Sequence, residues 1–343
     1  MRKLKKATVF ILILCLVLMS FAACGGDAKT EDGGTITLRL SSDAPLEHIA
    51  TTLNEAACAE VAEKTDGRVI IKYFPGSQLG GYDTVYEEVM RGTIDMAQIS
   101  FATAVDQRLA TFNTPCLTTG WEEAKKMYSQ DSFMSETYRT LCDEQNIEFL
   151  GWVLEGYMGL GMVKEPTNAL IPGAKKNVQV RVWGSPVCIE PITDLGFTAV
   201  TIPYAEVPTA IQTGVVDGWI GGTPNMNYAW VGEFINQFYV NYMYAETTAY
   251  LLSQSTIEKL DPADVEIIRE AFKRQSEESF LKAEENEELY LSKLADEHGV
   301  EIIRYTAEQI QEQADFVREN TWPKLEKVIS KDILDGLKAD LAK

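Results

Sequence analysis

The stretch that decides the fold runs from Val178 to Gly222, VQVRVWGSPVCIEPITDLGFTAVTIPYAEVPTAIQTGVVDGWIGG. Val178, Val180 and Val182 alternate with Gln179 and Arg181, the period of a half-buried strand. Gly184-Ser185-Pro186 breaks that strand, and a short helical segment runs to Leu195-Gly196. A second strand, Thr198 to Ile202, stops at Pro203. Ala205 to Thr213 reads as a helix with Val207 and Ile211 on one face, and Gly214 supplies a left-handed stop. Val215-Val216 leads into a third strand that runs out at Gly221-Gly222. Strand, helix, strand, helix, strand is the signature of a mostly parallel sheet. Such sheets bind ligands beyond the carboxyl ends of their strands, where Arg181 and the Gly221-Gly222 turn lie.

The same unit occurs earlier. Tyr82-x-x-Val85-x-x-x-Val89-x-x-Gly92-x-Ile94-Asp95 repeats as Tyr204-x-x-Val207-x-x-x-Ile211-x-x-Gly214-x-Val216-Asp217. Thr37-Leu38-Arg39-Leu40 echoes Gln179-Val180-Arg181-Val182. One α/β unit used twice predicts two similar lobes with a cleft between them.

Working outward, Arg2, Lys3, Lys5 and Lys6 precede an apolar run from Val9 to Met19, then Ser20-Phe21-Ala22-Ala23-Cys24. A charged start, a short apolar run and small residues before a Cys resemble a bacterial lipoprotein signal over residues 1–23, with Cys24 lipidated. Residues 24–34 read as a flexible tether. Lobe I is expected over 35–155 and 246–261, and lobe II over 156–245. Residues 262–343 are expected to hold a long spanning helix and further helices that pack on the lobes. That helix starts at Asp261-Pro262 and meets no breaker before His298-Gly299.

The chain has 343 residues, 31 Lys+Arg against 51 Asp+Glu, a net charge of −20. That excess of acid argues against nucleic acid or an anionic membrane surface as partner. The two histidines, His48 and His298, build no triad or zinc motif, and no phosphate loop is present. No cofactor and no metal is expected. Cys58, Cys116, Cys142 and Cys188 have no paired spacing and read as buried thiols, with one disulfide left open. Arg181 carries the most chemistry: its guanidinium stays ionised and offers the planar fork that grips a carboxylate.

Four pieces then resemble one family: Phe74-Pro75-Gly76-Ser77-Gln78-Leu79-Gly80-Gly81, Gly92-Thr93-Ile94-Asp95-Met96-Ala97, Val180-Arg181-Val182, and Ile211-Gln212-Thr213-Gly214-Val215-Val216-Asp217-Gly218. In order and spacing they are similar to the extracytoplasmic solute receptors of TRAP (tripartite ATP-independent periplasmic) transporters. The resemblance implies a two-lobed α/β periplasmic-binding-protein fold, each lobe a parallel or mixed sheet flanked by helices, with a long helix across both. It implies capture of a small organic acid by lobe closure and delivery to TRAP membrane subunits. The family's carboxylate-clamping arginine falls on Arg181.

Two places depart from the family pattern. Met158 stands where a second cationic contact is common, and Gly221, followed by Gly222, stands where Asn is common. Trp183 stands where Pro is frequent. A monocarboxylate with an apolar or aromatic body is therefore expected, with Trp183 against it and Glu155 beside it. Ser100, Tyr157 and Asn225 complete the expected lining. A receptor for another importer or a sensor is the alternative, and a hydrolase or lyase using Glu155 with Tyr157 is the alternative of a different class.

Overall fold

The computed structural model describes residues 34–342, so the signal segment, Cys24 and the tether up to residue 33 lie outside the described residues. The strands are β1 (Ile36–Ser42), β2 (Val69–Phe74), β3 (Met96–Ile99), β4 (Ile147–Met162), β5 (Gln179–Val182), β6 (Thr198–Thr201), β7 (Gly218–Gly222), β8 (Gln237–Ser253) and β9 (Glu301–Arg304). They form one sheet of order β2-β1-β3-β8-β4-β7-β5-β6, with β9 paired to β8. The order is a palindrome of two βαβ units. β2-β1-β3 and β6-β5-β7 are each parallel, and the long antiparallel pair β8 and β4 joins them.

The repeat is real in three dimensions, with a different offset from the one the strand residues suggest. Asp95 accepts the Arg39 amide at 2.8 Å, and Asp217 accepts the Gln179 amide at 2.8 Å. Gly92 and Gly214 both stop their helices at φ 71°, where a side chain would be strained. This registers Leu40 with Val180 and Ser41 with Arg181, since Leu40 faces Met96 and Val180 faces Gly218. Arg39 is thus the counterpart of Gln179, two residues short of Arg181.

Other boundaries have local causes. The first helix spans Ile49–Lys64: His48 takes the cap, and its Nδ1 accepts from the Ala50 amide at 3.3 Å. The helical sequence from Trp121 to Glu144 is two helices, Trp121–Met127 and Phe133–Asp143, because Ser132 caps the second one. β4 runs unbroken for 16 residues, across the lobe boundary expected at 155–156.

β4 slips register against β8 near Gly151, Gly156 and Gly159. Each slip frees backbone groups that must find partners when buried. The long helix Pro262–His298 supplies several of them. Ser276 Oγ donates to the Trp152 carbonyl, Ser279 Oγ accepts from the Leu154 amide at 2.9 Å, and Glu287 Oε2 accepts from the Tyr157 amide at 2.7 Å. Its cap is the one the sequence predicts: Asp261 accepts from the Ala263 amide at 2.8 Å, and Gly299 closes the far end at φ 71°. It packs on β4, on the helix Ile49–Lys64 and on the helix Pro224–Trp230, so it lies along both βαβ units.

Cys58, Cys116, Cys142 and Cys188 are all free thiols, three buried and Cys58 half-buried. Among the described residues no helix is long and apolar enough to cross a membrane.

Candidate ligand-binding site

The candidate site is built around Arg181. β5, the middle strand of the parallel β7-β5-β6 unit, carries it just before its carboxyl end, and only 2% of it is exposed. Nε donates to the Ile202 carbonyl at 2.9 Å, and Nη1 donates to the Ile220 carbonyl at 3.3 Å. The Tyr204 ring lies 5.8 Å from the guanidinium carbon. No carboxylate among the described residues forms an ion pair with it, and burial lowers its pKa. A buried charge without a counter-ion is costly, so proteins keep one where an anion will arrive. The two carbonyls fix the fork while leaving further N–H donors for that anion.

Gly221 makes the approach possible. At φ 127° it occupies a conformation that side chains rarely adopt, and a Cβ there would sit 3.0 Å from Arg181 Nη1. Trp183 borders the same space: a Cβ at Gly221 would lie 3.7 Å from its ring. The Trp183 ring stands edge-on to Tyr244 at 5.3 Å, half-buried and held by that contact. Gly222 serves packing, because a Cβ there would overlap the Trp219 ring.

A wall of acids lies near Tyr204, the tyrosine beside Arg181. Glu155, 7% exposed, leaves β4 just before the Gly156 slip. Its Oε1 accepts from Thr248 Oγ1 at 2.7 Å and Gln98 Nε2 at 3.1 Å, and its Oε2 lies 3.5 Å from His48 Nε2. Ser42 Oγ at 2.6 Å and Asn54 Nδ2 at 3.2 Å donate to Gln98 Oε1 and so fix the orientation of its amide. Asp43 follows the carboxyl end of β1 and accepts from Ser77 Oγ at 2.9 Å. Burial, then the fields of Glu155 and Asp83, push its carboxyl up to about 6. Glu246, opposite Gly156 on β8, is pushed well above the usual carboxylate range by burial and then by Glu155. Its Oε2 is sealed from solvent and has no hydrogen-bond donor.

The wall and the arginine act on the same space. Tyr204 keeps 37% of its surface exposed, yet its hydroxyl feels Glu246, Glu155, Asp43 and Arg181 together. Tyr82, its counterpart in the repeat, feels Asp43 and Arg181. The two tyrosines come from opposite βαβ units, so both units face one cleft. The described residues contain no group of three or more His, Cys, Asp or Glu placed to hold a metal ion.

The other expected lining residues fall elsewhere or stand apart. Tyr157 is 2% exposed, and its hydroxyl contacts Thr118 Oγ1 at 2.8 Å and donates to the Gly120 carbonyl at 2.9 Å. Its ring packs edge-on against Trp121 and Tyr242. Met158 is core, 4% exposed. Ser100 is half-buried just past β3. Asn225 is 2% exposed, and its Nδ2 has no acceptor among the described residues. Asp43, His48, Tyr82, Gln98, Tyr204 and Glu246 were missed. The tyrosines were available, since each heads a copy of the repeat. Asp43 occupies the place that Trp183 holds in the other unit, visible only once the offset is corrected.

A model of the family described as "Bacterial extracellular solute-binding protein, family 7" matches residues 40–327. The ectoine-binding periplasmic protein TeaA of Halomonas elongata is 26% identical over 308 residues, covering 82% of this chain and 83% of its own. The C4-dicarboxylate-binding periplasmic protein DctP of Vibrio cholerae is 24% identical, covering 96% and 97%. Among solved structures, a TRAP periplasmic solute-binding protein from Desulfovibrio salexigens with bound orotic acid superposes with a TM-score of 0.78 at 19% identity. That match covers 89% of this chain and 98% of that one.

Proposed function

The chain belongs to family 7 of the bacterial extracellular solute-binding proteins, and from that premise we propose that it captures a small organic acid between its two lobes and delivers it to a TRAP-type secondary transporter. The family binds substrates and is not enzymatic. The observation that carries the reading is Arg181: a guanidinium buried at the carboxyl end of β5, backed by two carbonyls and lacking a carboxylate partner among the described residues. Of the relatives and structures named above, one is named for binding C4-dicarboxylates and one holds orotic acid, which supports an acid as ligand here.

The carboxylate of the ligand meets Arg181, Gly221 gives it access, and Trp183 covers a flat or apolar body. A second carboxylate would face Asp43, Glu155 and Glu246, which favours a single one. Ser100 and Asn225 are assigned to the rim of the cleft. Lobe I is assigned to 35–155 and 246–261, lobe II to 156–245, and 262–343 to the spanning and packing helices. The pairing of Gly156 with Glu246 marks the crossing between them, and its register slip is a natural hinge. Ligand should therefore compact the protein and raise its Tm, because it binds the folded state alone. Small-angle scattering with and without saturating ligand tests this; superimposable curves would rule closure out.

Cys24 is assigned as the lipidated N-terminus of the mature receptor, holding it at the outer side of the cytoplasmic membrane. Cys24→Ala should leave the protein uncut or shed into the soluble fraction, since stable anchoring requires the acyl chains. An unchanged membrane fraction and intact mass would remove the anchor from the reading.

A further inference from the structure

We propose that the ligand is a zwitterion: a small amino-carboxylate whose anionic end meets Arg181 and whose cationic nitrogen meets Asp43, Glu155 and Glu246. The inference rests on the receptor reading and adds the second charge. Three carboxyl groups act together with Arg181 on the hydroxyl of Tyr204, whose ring lies 5.8 Å from the guanidinium carbon, and among the described residues neither Asp43 nor Glu246 has a lysine or arginine partner. Glu155 has only His48, whose Nε2 lies 3.5 Å away, is buried and makes no hydrogen bond. Across the cleft, Arg181 is 2% exposed and equally without a counter-ion. The site thus holds a buried guanidinium without a counter-ion and three carboxyl groups without a lysine or arginine partner among the described residues, Glu246 Oε2 with no hydrogen bond at all.

A plain carboxylate would satisfy Arg181 and leave the acids facing the ligand's body. A dicarboxylate would set like charge against like. A hydroxy acid would give the wall a hydroxyl hydrogen to bind and leave its charge uncompensated. An ammonium, amidine or guanidinium group compensates that charge and supplies several N–H donors to oxygens that lack them, Glu246 Oε2 first among them. The wall is also oriented for acceptance. Thr248 and Gln98 both donate to Glu155 Oε1, which leaves Oε2 the oxygen open to a ligand donor.

The test uses the full chain in mild detergent near pH 7. α- and ω-amino acids are compared by calorimetry with their 2-hydroxy, ω-hydroxy and deaminated counterparts, with succinate and glucuronate alongside. Small molecules that survive purification are identified by native mass spectrometry. The expected result is that the tightest ligand carries a cationic nitrogen and that its hydroxy counterpart binds at least tenfold more weakly. Glu246→Gln, which breaks no hydrogen bond among the described residues, should weaken the zwitterion at least tenfold and leave the deaminated acid unchanged or tighter. Asp43→Asn should act in the same direction; Glu155 is kept native, since Thr248 and Gln98 bond it into the wall. Tight binding of a nitrogen-free acid through Arg181, undiminished in Glu246→Gln, overturns the zwitterion and leaves the receptor standing. If no acid of either kind binds, both readings fall.

Discussion

Arg181→Ala should lose about 2–5 kcal/mol of ligand affinity, the usual result of truncating one partner of a buried charged pair. The loss comes from two sources. The ligand carboxylate would enter a desolvated space with no cation to meet it. The Ile202 and Ile220 carbonyls would also lose the donors they have now, at 2.9 and 3.3 Å. Arg181→Lys should recover little. One ammonium cannot donate to both carbonyls in the plane of the fork and also present a paired face to a carboxylate. The free protein should respond in the opposite sense: removing a buried cation that has no carboxylate partner should leave its Tm unchanged or raise it. Calorimetry with the tightest carboxylate found, and melting curves without it, check both halves together. An alanine variant that binds as the native protein does would take Arg181 out of the site.

The fold was largely legible because it is written in short-range patterns. Alternation gave β1 and β5, and the glycine stops after residues 91 and 213 gave the ends of their helices. The Asp261 cap and Gly299 gave both ends of the long helix. The position of Arg181 was legible for the same reason: it stands where a parallel strand ends, and the structure buries it there without a carboxylate partner among the described residues. The acidic wall was not. Asp43, Glu155 and Glu246 are far apart in the chain; the register of β8 against β4, which shifts three times, brings Glu155 and Glu246 together, and the order of the strands brings in Asp43 at the end of β1. A strict alternation would place Glu155 and Tyr157 on one face. Gly156, at φ 139° beside a register slip, lies between them. Glu155 then joins Gln98 and Thr248, while Tyr157 joins Thr118 and the Gly120 carbonyl. A hydrolytic pairing of those two side chains has no geometry to support it. Met158, two positions beyond the slip, lies in the core for the same reason.

Glu287 offers the second large effect, and it concerns stability. Its side chain rises from the long helix to the Gly156 slip, where Oε2 accepts the Tyr157 amide and Oε1 is buried without a donor. Burial pushes its carboxyl up to about 8, with the neighbouring Glu288 adding to the shift and the Tyr157 amide opposing it. In the unfolded chain the same group titrates near 4.5. Below that value both states hold the proton and the group is neutral in the balance. Between 4.5 and 8 the unfolded chain has released its proton while the folded one keeps it, so stability falls as pH rises, and the loss is complete above 8. At 1.36 kcal/mol per unit the decline is about 3–5 kcal/mol. Asp43, raised to about 6, and Glu246 add declines of the same sign, Asp43 mainly below pH 6. Glu287→Gln keeps an acceptor for the Tyr157 amide and cannot ionise, so it should flatten the curve between pH 6 and 8 and exceed the native protein in stability at pH 8. Urea unfolding of both proteins from pH 5 to 8, without ligand, measures this directly. Parallel curves across that range would show that Glu287 holds no proton at the crossing. The native fold would then carry a buried anion beneath Gly156, and the attachment of the long helix to β4 would rest on a charged hydrogen bond.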